Sequence, residues 1–167
     1  MRWPQVLLAF AVAVALAGPA GAIEKNDPAR PLALRVLNPP GLPGMPLQIL
    51  STAEPGVIVK LQAAGMAEGD ARDAAEQFIM PELRKRAPEL ERLIEDVFIE
   101  MFTPAELKAI PENEQTADRK SAAAKFSAVI ARTTQVANTW MDGVRQEVVA
   151  TNNDRFKLSP SRTGAPK

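Results

Sequence analysis

Residues 88–107 read PELERLIEDVFIEMFTPAEL, and the fold of the chain turns on how they are divided. Pro88 suits the first position of a helix, where a missing amide donor costs nothing. Beyond it Leu90, Leu93, Ile94, Val97, Phe98, Met101 and Phe102 recur at steps of three and four, one apolar stripe of a helix. Glu91, Arg92, Glu95, Asp96 and Glu100 fall on the opposite face and read as solvated charge. A second helix opens inside 102–107. Thr103 fits its N-cap, Pro104 its first position and Glu106 its third. In such a capping box the hydroxyl accepts from the Glu106 amide, and the Glu106 carboxylate accepts from the Thr103 amide. Phe102 before the cap and Leu107 at the fourth helical position are placed as a hydrophobic staple. The spacing predicts two apolar helices joined at a sharp corner, with Phe102, Thr103, Glu106 and Leu107 in structural roles.

Working outward, the same periodicity recurs. Asp70 is a candidate cap, and Ala71, Ala74, Ala75, Phe78, Ile79 and Leu83 mark a helical face that Pro81 should kink or restart. VIVKL (57–61) has no convincing partner strand and reads as a short helix from about Pro55 to Ala64, stopped at Gly65. Downstream of the corner Pro111 ends a short helix, and 111–120 read as a polar surface connection. Ser121 then starts a long helix. Its stripe runs through Phe126, Val129, Ile130, Thr133, Val136, Ala137, Trp140, Val144 and Val148 to the polar stop at 152–154. The expected class is all-α, a small helical bundle of about four helices spanning residues 55–152.

The flanks differ in kind. Arg2, an apolar run from Val6 to Ala17, the break at Gly18-Pro19 and the small residues Ala20-Gly21-Ala22 read as a secretory signal peptide over 1–22. A run of that length falls short of the about 20 apolar residues that span a bilayer. Its removal implies export to the periplasm or the extracellular space, with no membrane span remaining. Residues 23–54 carry prolines at 28, 31, 39, 40, 43 and 46, and read as a Pro-rich linker or extended, polyproline-like segment. Within it LALRVL (32–37) and LQIL (47–50) are apolar enough to adhere to the domain that follows. Residues 153–167 read as a flexible basic tail, and cations without an apolar anchor hold anionic lipid weakly.

Composition narrows the chemistry. The chain has no Cys and no His, so it lacks disulfides, thiolate metal sites and the commonest general base. Lys plus Arg and Asp plus Glu number 20 each, a balance without a nucleic-acid footprint. No Gly-rich phosphate loop or zinc spacing occurs, and no cofactor or metal is expected. Ser121 and Lys125 share a helical face, but a Lys base needs desolvation or a cationic neighbour, and a helix start offers neither. The carboxylates Glu91, Glu95, Asp96 and Glu100, and Glu68, Asp70 and Asp73, alternate with arginines and read as a solvated face rather than a calcium site.

At FTPAELKAI (102–110) the chain resembles a bacterial family known by number, domain of unknown function 2059. Its members share a Phe-Thr-x-x-Glu-Leu block, met here by Phe102, Thr103, Glu106 and Leu107. The family's Ser-Pro-x-Gly element, which opens a long helix, has a partial counterpart at Ser121, with Ala122 and Ala124 in place of Pro and Gly. The family's aromatic pair between the two blocks is replaced by Pro111 and the polar connection. The resemblance covers about 64–149. It implies an exported, all-helical domain and no particular activity.

The function expected from these readings is non-enzymatic: an envelope interaction or accessory protein acting on a protein partner or on itself, as a homodimer. Phe98, Phe102, Phe126 and Trp140 are the candidate anchors of its interaction surface. The alternative is a binder of small apolar ligands or lipid, with a cavity bordered by Phe78, Phe98, Phe126 and Trp140.

Overall fold

The computed structural model describes residues 27–112 and 115–152, which are helical with no strand among them. The expected signal peptide, the first residues of the segment read as Pro-rich linker and the expected basic tail lie outside the described residues. In chain order the elements are α1 (Arg30–Leu37), α2 (Met45–Ser51), α3 (Glu54–Ala63) and α4 (Glu68–Ala74), then a π turn (Ala75–Ile79). There follow α5 (Met80–Lys85), α6 (Ala87–Met101), α7 (Pro104–Ala109) and α8 (Ala117–Thr151). The all-α class holds, with more helices than the expected four.

The extra helices come from the segment read as a linker. Pro31 and Pro46 each sit in the first turn of a helix, where no intrahelical bond needs their missing donor. Ala33, Leu37 and Leu50 are then driven to full burial in the common core. The extended reading of 23–54 is therefore corrected from residue 30 onward. The non-helical connections there are 38–44, which holds Pro39, Pro40 and Pro43 and turns at Gly41 with φ +81°, and the two-residue turn at 52–53.

α8 is the spine of the molecule. Its 35 residues span about 52 Å at 1.5 Å per residue, and α5, α6, α7 and the π turn pack along it. α1 and α2 cover α6, and α3 packs on α4. The core draws on the predicted stripes, with Leu90, Ile94 and Phe98 of α6 and Val129 and Val144 of α8 at 0–2% exposure, whereas Leu93 and Ile130, placed on the same stripes, stay exposed at 39% and 61%. α8 starts four residues earlier than Ser121, because Thr116 accepts from the Arg119 amide at 3.2 Å and caps it. α4 likewise starts at Glu68, which leaves Asp70 in the first turn rather than at the cap.

α3 matches the predicted helix, ending before Gly65, whose φ of +95° suits glycine. At Pro81 the helix neither breaks nor restarts after a gap. The preceding turn widens, so that the Met80 amide reaches back to the Ala75 carbonyl, and the wider turn relieves the clash of the proline ring with the carbonyl four residues earlier. Glu95 departs from its expected exposure, at 6%, because α1 docks on the face of α6 that would have been solvated if α1 were a detached linker. Arg30 answers it, with one guanidinium nitrogen 2.9 Å from Glu95 Oε2 and the other 2.8 Å from Asp96 Oδ1.

Candidate functional site

The corner at 102–107 forms as its spacing requires. Thr103 adopts an extended cap conformation, its Oγ1 accepts from the Glu106 amide at 3.2 Å, and its own amide donates to Glu106 Oε2 at 2.8 Å. Phe102 and Leu107 are both buried in the core on either side of the cap. The structure adds partners from α8. Ser121 Oγ donates to Glu106 Oε1 at 2.6 Å, and Lys125 Nζ donates to Oε2 at 2.7 Å. Lys125 also donates to the Met101 carbonyl at 3.2 Å, placing a cation at the C-terminal end of α6. Its Nζ lies 6.0 Å from the centroid of the Phe102 ring, which is tilted against Phe98 and Phe126.

Glu106 is 3% exposed and accepts three hydrogen bonds with its carboxylate. Lys125, then the Ser121 hydroxyl and the Thr103 amide, pull its pKa down to about 2, against the opposing effect of burial. A carboxylate of that acidity is a poor acceptor for the Ser121 proton, and Lys125 is engaged as a donor to it. Ser121, Lys125 and Glu106 thus meet in space, and their geometry ties the end of α6, the start of α7 and the first turns of α8 together.

The candidate anchors separate into two kinds. Phe98 and Phe102 are 1% and 3% exposed, so they belong to the core and are corrected as surface anchors. Their ring-to-ring packing, extended to Phe126 at 5.8 Å, fills the corner from inside. Phe126 and Trp140 are half-buried. Trp140 Nε1 donates to Glu89 Oε2 at 3.3 Å. Glu89 also pairs with Arg86, which reaches Glu147 at 2.7 Å and ties the start of α6 to α8. Arg86, then Trp140, hold the Glu89 carboxyl below its ordinary pKa. The four side chains expected to border a cavity are placed differently. Phe98 is sealed in the core, and Phe78 borders a separate hollow with Pro81 and Val148.

A half-open groove of about 350 Å³ lies elsewhere, between α2–α3 and α8. Ile49, Ala53, Val57, Ala137 and Met141 give it apolar walls. Lys60, Asp142 and Arg145 line it as well, with Lys60 Nζ 2.7 and 2.8 Å from the two Asp142 oxygens. Sequence reasoning passed over these three residues, since Lys60 and Asp142 stand 82 positions apart and belong to no motif.

Among the described residues no group of three or more acidic side chains is placed to hold a metal ion, and no helix is long and apolar enough to cross a membrane. No protein-family model matches the chain, and no curated protein or solved structure matches it.

Proposed function

We propose that this protein is an exported accessory protein of the cell envelope that works by binding rather than by catalysis. The observation that carries the reading is the commitment of Glu106. The polar constellation most suggestive of chemistry, Ser121 and Lys125 beside a buried carboxylate, spends its donors and acceptors on holding three helices in register. Export rests on the leader-like sequence at 1–22 and on the resemblance of 102–110 to an exported helical family. A binding role draws on the exposed apolar side chains Leu42 and Leu47 beside the start of α2, at 64% and 51% exposure.

The test uses residues 23–167 as bait in envelope extract, beside a Leu42→Asp/Leu47→Asp variant, with size-exclusion chromatography and light scattering on both. The reading expects a defined protein, or a second copy of the chain, held by the wild type and lost by the variant. A strict monomer across micromolar concentrations that retains nothing the variant does not retain overturns it.

A further inference from the structure

The groove between α3 and α8 has a chemical asymmetry that the fold does not use. Lys60 and Asp142 neutralise each other at close range. Arg145 then adds a second cation, and its one ionic partner among the described residues is the same Asp142, at 3.5 Å. Arg145 donates no hydrogen bond among the described residues: its buried Nε, the atom 3.5 Å from Asp142 Oδ1, makes the ion pair without hydrogen-bond geometry. The side chain is only 17% exposed and lines the half-closed groove, and none of the donors of its guanidinium is hydrogen-bonded among the described residues. Thr134 and Asn138, one turn apart on the same wall of α8, likewise make no side-chain hydrogen bond among the described residues.

Shape points the same way. Gly56 lines the groove from within α3, and a Cβ built on it meets nothing within 4 Å. The groove is therefore open at that height, above walls made by Ile49, Val57 and Met141. Its volume lies at the lower end of the about 300–1,000 Å³ of small-molecule sites, which combine apolar walls with a few convergent polar groups.

We propose that this groove is a binding site for a small amphipathic carboxylate: a monoanion taken by Arg145 beside Lys60, with its short apolar body against Val57 and Met141. Two cations against one carboxylate leave a single positive charge, which a monoanion balances. A planar carboxylate also matches the paired donors of a guanidinium. The site requires no protein partner and stands apart from the Leu42–Leu47 surface, so the two readings can fail separately.

Sodium octanoate is the probe, titrated into ¹⁵N-labelled protein and followed by amide shifts around Lys60, Asn138 and Arg145. The expected result is saturable binding with a Kd of about 0.1–1 mM, in keeping with the efficiency of small ligands. Octan-1-ol and octylammonium should bind at least about tenfold more weakly, the loss of one charged hydrogen-bonded contact. Arg145→Gln should lose the preference for the anion. Gly56→Leu starts from a position where a Cβ meets nothing within 4 Å and projects its side chain into the groove; it should abolish binding while an unchanged amide spectrum elsewhere and a cooperative melt show the protein folded. The proposal is overturned by octanoate shifts that do not saturate by about 10 mM, by equal binding of the alcohol, or by octanoate binding that Gly56→Leu leaves unchanged.

Discussion

Glu106 does two things with one carboxylate: it closes the cap of α7 and receives α8 through Ser121 and Lys125. Glu106→Ala should cost about 2–4 kcal/mol, since it strands buried donors and an ammonium at once, whereas Thr103→Ala should cost about 1 kcal/mol, the worth of a cap. Urea unfolding midpoints separate the two. The acid limb carries a sign. A pKa lowered from 4.5 to about 2 makes Glu106 a source of stability that is complete above pH 4.5 and lost as the pH falls toward 2. Glu95 acts oppositely, because burial outweighs Arg30 and raises its pKa, so its protonation favours the folded state as the pH drops. Between about pH 6 and pH 3, Glu106→Gln should therefore lose less stability than the wild type, and Glu95→Gln should lose more. The capping box was legible because it is local, every partner lying within three residues. Ser121 and Lys125, 15 and 19 positions away, show in the sequence as a pair on one helical face and not as partners of Glu106, since their approach depends on how α8 crosses the corner.

At the scale of the element, proline is the punctuation of this chain. Pro31, Pro46, Pro55, Pro81, Pro88 and Pro104 each stand in the first two positions of a helix. At 88 and 104 the apolar periodicity that follows is strong enough to identify them as helix starts. At 31 and 46 the helices are too short to show a period, and clustered prolines nearby argue for extended chain on local grounds alone. Burial of Leu37 and Leu50 decides the matter, and that is a tertiary fact. Thr116 was missed because a polar stretch hides a cap as readily as it advertises a loop. Glycines offer a matched test. Gly56 lies in ordinary helix with open space around it, so Gly56→Ala should raise stability by about 0.5–1 kcal/mol. Gly65→Ala, at φ +95°, should lower it by about 1 kcal/mol. Thermal melts of the two variants should shift in opposite directions.

For the molecule as a whole, the boundary expected at residue 55 does not separate a domain from a tether. A chain beginning at 55 would uncover the places of Ala33, Leu37 and Leu50 in the core and, with α1 gone, expose the face of α6 that carries Glu95. It should bind a hydrophobic dye and melt without a sharp transition, where the chain from residue 23 melts cooperatively. The groove illustrates the same limit on reading a sequence. Its walls come from α2, α3 and α8, and no local pattern announces that they will face one another.

The unequal lengths of the helices carry a further consequence for the unfolded protein. α1, α2, α3 and α7 run to ten residues or fewer, below the about 12–15 at which an isolated helix begins to persist in water, while α6 at 15 residues and the run from Glu68 to Lys85, loosened by its π turn and Pro81, stand near it. α8, at 35 residues, lies well above that threshold. Denatured in moderate urea, the chain should keep transient helix in 117–151 and little elsewhere, so refolding begins with a template already part-written and the short segments condense on it. Circular dichroism of a peptide covering 117–151, set beside one covering 54–63, measures that inequality directly.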